Sequence, residues 1–104
     1  MAFELDYAHG LEPADARIRL RALGEYLANK HGLAVNWTSD DQARISGKYM
    51  IVTIEGTLSL LPGKANFSGK DPGMLWRGKA KDYLQHKLQK YLDPAVAPDA
   101  LPRS

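Results

Sequence analysis

At 104 residues, with 44% apolar and 25% charged side chains, the chain has the composition of one globular domain, able to bury roughly 60 to 70% of the surface its unfolded form exposes. The absence of cysteine excludes disulfides, thiolate metal sites and a cysteine nucleophile, and suits a reducing compartment. A net charge of +2 disfavours nucleic acid as a partner; with no apolar run of the roughly 18 residues a membrane span needs and Glu4 and Asp6 in place of a basic leader, a cytoplasmic protein without a transmembrane segment is expected.

The stretch "FELDYAH" sets Phe3, Leu5 and Tyr7 against Glu4 and Asp6, the two-residue period of a half-buried strand. Pro13 suits a first helical position, and a helix is predicted from about Pro13 to His31, with Ala16, Leu20, Leu23 and Leu27 on one face, Tyr26 beside them and Gly32 as the stop. Consecutive antiparallel strands follow: "LAVNW", a turn at "SDDQ", "ARIS", the long apolar "YMIVTIEGTLSLL", a Pro62-Gly63 turn and "ANFSG". Along Tyr49 to Leu61 the core face is read as Met50, Val52, Ile54, Leu58 and Leu60, with Gly56 marking a bulge or a close backbone approach.

Asp71 is placed as a cap and Pro72 as the first position of a second helix that runs to about Leu92, with Ala80, Leu84, Leu88 and Tyr91 on one face. Residues 94 to 104 hold three prolines and no period, and are predicted to be a disordered tail after a single domain over residues 1 to 93. Clustered strands between two helices predict an α+β fold in the order β-α-β-β-β-β-α, an antiparallel sheet of about five strands with both helices on one face.

Chemistry is harder to find. His31 sits at a helix C-terminus, where a cation suits the dipole, and His86 faces outward; no spacing brings two histidines onto one face, so neither a metal site nor a catalytic pair is expected. His9 reads as a corner residue that packs or hydrogen-bonds the turn, with contact to a ligand as its other reading. Asp40 and Asp41 are adjacent and read as turn residues. "GKANFSGK" lacks the spacing and the Ser or Thr of a phosphate loop, so no nucleotide cofactor is expected.

The basic residues Arg17 and Arg21 share a flank of the first helix, while Arg77, Lys79, Lys81, Lys87 and Lys90 crowd the second; a solvated surface explains them, and an anionic partner is the alternative. Steps of 100° about Leu84 leave Met74, Leu75 and Trp76 unable to share one buried face. With Arg77 and Lys79 they are read as a contact surface for a second subunit or an apolar partner.

In "HGLEPADARIRLRALGEYLANKHGLAVNW", "IEGTLSLLPGKANFSG" and "LQHKLQKYLD" the chain resembles the polyhydroxyalkanoic acid system proteins, small bacterial proteins of polyester-granule loci, over about residues 7 to 93. His9, Leu11, Ala16, Arg17, Gly56 and Leu88 carry the match; "KDPGMLWRGK" departs from the family's more apolar approach to its last helix. The resemblance implies an accessory or granule-associated role and no catalytic residue. Two further readings stand beside it: a small-molecule-binding domain with a pocket between the sheet and the last helix, for which a large cavity would require a homodimer, and a hydrolase or isomerase using His9.

Overall fold

The computed structural model describes residues 2–49 and 52–104. The alternating first stretch forms strand β1 (Ala2–Ala8), burying Phe3 and Leu5 while Glu4 and Asp6 face out. Helix α1 (Pro13–His31) starts on its proline, where no amide hydrogen is missed. It stops at Gly32, whose φ of 68° brings its N–H to 3.0 Å from the Ala28 carbonyl.

Strands β2 (Ala34–Ser39), β3 (Gln42–Tyr49), β4 (Val52–Leu61) and β5 (Lys64–Lys70) follow, then helix α2 (Met74–Tyr91). All pairings are antiparallel, in the order β1-β5-β4-β3-β2. The fold is therefore α+β, a five-stranded antiparallel sheet with two helices. Leu20, Leu23 and Leu27 of α1 and Leu88 and Tyr91 of α2 share one core with Phe3, Leu5, Ile45, Leu58 and Phe67 of the sheet. Each such side chain contributes roughly 1.5 to 3 kcal/mol by leaving water. The other sheet face is polar, and there Asn66 Nδ2 donates to Asp6 Oδ1 at 2.6 Å.

Three local expectations change. The stretch read as one strand over Tyr49 to Leu61 is divided, because Tyr49 pairs with Val52 across the β3–β4 hairpin; the core position assigned to Met50 lies outside the described residues. Helix α2 begins two residues later than Pro72, since Gly73 takes a φ of 103° that no helix accommodates. Asp71 still holds the start, accepting from the Gly73 N–H at 2.9 Å and pairing with Arg77, and both contacts keep its carboxyl below the usual range.

The third is the segment read as a disordered tail. Pro98–Ala100 form a 3₁₀ turn packed against α1, and Leu101 is buried in the main core. Arg103 pairs with Glu25 at 2.9 Å, its carbonyl accepts from Asn29 Nδ2, and the Tyr91 hydroxyl donates to the Pro102 carbonyl. Proline content and missing periodicity describe an irregular path, and here one apolar side chain anchors it.

Gly56 marks a close approach without a bulge, as the β3–β4 and β4–β5 registers run through it unbroken. A Cβ there would lie 2.6 Å from Phe67 Cζ, and one on its partner Gly69 would lie 2.3 Å from the Glu55 carbonyl oxygen. At the far edge, β2 is the shortest strand, six residues, and its register slips between Trp37 and Ser39.

Candidate functional site

Helix α2 is fixed to the core by its last turn, where Leu88 and Tyr91 are its two buried residues. Toward its start it stands off the sheet, and Ala80 and Leu84 are only half-buried. Between this part of α2 and the sheet lies a cleft of about 450 Å³, within the roughly 300 to 1,000 Å³ usual for small-molecule sites.

Its floor is the inner face of the sheet, with Phe3, Ile45, Val52, Ile54 and Phe67. Leu27 and Leu33 close the side toward α1, and Trp76, Ala80 and Leu84 form the roof. The rim carries Lys79 on α2, while Lys70 at the end of β5 and Glu55 on β4 border it from outward positions of their strands. His31 and Tyr83 join the two helices beside it, His31 Nε2 lying 2.8 Å from the Tyr83 hydroxyl. Burial first, then the nearby charges of Lys87 and Lys30, push the His31 imidazole below its ordinary pKa.

The five residues read as a contact surface separate. Met74 and Leu75 project from the first turn of α2, 85% and 87% exposed. Trp76 turns inward as part of the cleft roof, with the Lys79 ammonium 5.3 Å from its ring centroid. Arg77 is occupied by Asp71. The exposed part of the surface is thus narrower than expected, because the step of about 100° from Leu75 to Trp76 is enough to turn the indole toward the cleft.

Other charges are also occupied. Arg17 Nε donates to Asp41 Oδ1 at 2.6 Å, while Arg21 lies 3.8 Å from Asp40 and stacks 4.5 Å above Trp37. The two aspartates of the β2–β3 turn therefore answer the basic flank of α1, which depresses the Asp41 pKa. Lys87 rests 4.2 Å over the Tyr26 ring.

His9 stands after β1, at the opposite end of that strand from Phe3, roughly 20 Å from the cleft by strand rise. Its Nδ1 accepts from the Leu11 N–H at 3.2 Å, and burial lowers its pKa. The neutral ring carries its hydrogen on Nε2, which is buried without a partner among the described residues. His86 Nδ1 donates to the Asp82 carbonyl on the outer side of α2. Among the described residues no cluster of His, Asp and Glu could hold a metal ion, and no helix is long and apolar enough to cross a membrane.

As one alternative the sequence offers a pocket between sheet and last helix, with Ala80 and Leu84 on the inner face, but it does not give Trp76 and Tyr83 as lining it. Trp76, Ala80 and Tyr83 recur at helical spacing and line the cleft, a stripe that could have been read as a face turned toward the core yet too bulky to close onto it. The cleft forms within one chain, so a cavity of this size needs no second subunit.

The architecture and its half-lifted helix define a small α+β protein with an apolar cleft beside two exposed apolar side chains. Residues 4–96 match the family described as putative polyhydroxyalkanoic acid system protein, and the chain belongs to that family. Comparisons with curated proteins and with solved structures find no match. Membership suggests an accessory role associated with polyhydroxyalkanoate.

Proposed function

We propose that this is a non-enzymatic, cytoplasmic accessory protein of polyhydroxyalkanoate metabolism, working by contact with a granule surface or a granule-bound protein. The supporting observation is the pair Met74 and Leu75, nearly fully exposed on the first turn of α2. Burying both would contribute roughly 3 to 6 kcal/mol before the costs of association, which suits a reversible contact. The apolar pair lies beside Lys79, whose charge favours anionic neighbours. With Arg17, Arg21 and Arg77 occupied by aspartates, nucleic acid is not among the proposed partners.

The test is co-sedimentation with polyhydroxyalkanoate granules. The Met74→Ser, Leu75→Ser double variant should lose most granule-bound protein while its melting temperature stays near that of the parent, since exposed substitutions shift stability by about 0.5 kcal/mol or less. Undiminished binding by the variant would overturn the reading.

The cleft favours a second reading, a small-molecule-binding domain. It supplies an apolar, partly enclosed volume with few polar groups at its rim, the usual form of a ligand site.

A further inference from the structure

We propose that the cleft takes a single amphiphilic acid, its unbranched acyl chain lying on the sheet floor and its carboxylate held at the rim by Lys79. This rests on the second reading above, that the cleft binds a small molecule at all.

The chemistry of the walls carries the choice of ligand. Ile45, Val52 and Ile54 below and Ala80 and Leu84 above offer aliphatic surface and no side-chain hydrogen bond, so the enclosed part of a ligand must be hydrocarbon. A saturated chain meets that demand; a sugar or a nucleotide would leave its polar groups without partners. The rim differs. Lys79 stands there on α2 over the Trp76 ring, while Glu55 and Lys70 both alternate onto the outer face of the sheet, away from Ile54 and Phe67. Lys79 is in no ion pair with a described residue. An anionic head group thus finds a positive charge where the hydrocarbon ends.

The position of α2 explains how such a chain would enter. The helix is anchored at Leu88 and Tyr91, and its first half meets the sheet mainly through half-buried side chains. Insertion beneath Ala80 therefore displaces little existing packing. A flat polymer surface could not reach this floor, whereas one chain with a free end could.

Calorimetric titration of the full chain with decanoate and with decanol, both kept below their aggregation concentrations, tests the assignment. Decanoate should bind, and more tightly than decanol by roughly threefold, the scale of one exposed charge contact. Lys79→Gln should remove that preference, Lys70→Gln should leave it unchanged, and Ala80→Phe, which fills the cleft, should abolish binding of both. If decanol binds as tightly as decanoate, and Ala80→Phe abolishes both, the cleft is a ligand site but the acid assignment is overturned. If neither binds, or if Ala80→Phe leaves both unaffected, the cleft reading falls with it. Adsorption to anionic vesicles without heat from monomeric decanoate would likewise overturn the proposal.

Discussion

Arg19 shows how one charged side chain can be set inside a small core. It is 3% exposed on α1, and its guanidinium donates to Asp15 Oδ1 and to the carbonyls of Tyr91 and Asp93, at 2.9, 3.3 and 2.8 Å. Those carbonyls close α2, so a helix end that would otherwise carry unpaired acceptors is satisfied from its neighbour. Arg19→Met should cost about 3 kcal/mol in urea unfolding, because it strands the two carbonyls that close α2 and removes the ion pair with Asp15. Arg19→Lys should recover little, as an ammonium lacks the planar fork that reaches three acceptors. At His9 and His31 the imidazoles titrate below their ordinary pKa of 6.5, burial being the first cause at both. The folded state holds them neutral while the unfolded chain protonates more readily, so their contribution is complete above pH 6.5 and is lost as the pH falls through the lower folded values. His9→Asn keeps an acceptor for the Leu11 N–H and cannot titrate. Its stability should decline less steeply below pH 6.5, as followed by urea midpoints across the acid range.

Among the elements, the C-terminal segment and α2 depend on each other more than their order in the chain suggests. The 3₁₀ turn crosses α1, Leu101 enters the core, and Tyr91 of α2 donates to the Pro102 carbonyl. Leu101→Ala should therefore cost about 2 kcal/mol, where a structureless tail would register nothing; thermal melting separates the two. Elements with strong periodicity were legible in the sequence. The Leu20, Leu23, Leu27 stripe, the Phe3, Leu5, Tyr7 alternation and the Pro62-Gly63 turn each encode their geometry locally. The tail was not, because a lone Leu among prolines has no period and its burial depends on a groove made by residues far away. Arg19 was hidden for a related reason: two of its three partners, the carbonyls of Tyr91 and Asp93, lie more than 70 positions along the chain.

For the whole molecule, fold class and strand number follow from the order of the elements, while the candidate site arises from how far one helix tilts from the sheet. Single-sequence periodicity reports which face of α2 is apolar and is silent about the angle at which that face is laid down. Here Trp76, Ala80 and Tyr83 of α2 line the cleft, whereas Leu88 and Tyr91 in its last turn are buried. The far edge of the sheet has a different consequence. A protein gathered at high density on a surface is exposed to self-aggregation, and the usual route is one strand adding to another along free edges. In β2 the ladder slips between Trp37 and Ser39, and at the other edge β1 alternates Glu4 and Asp6 with its core residues. Irregular pairing and negative charge make poor templates for continued growth. Crowded copies would remain individually folded units, free to arrive and leave, with their sheets closed to one another.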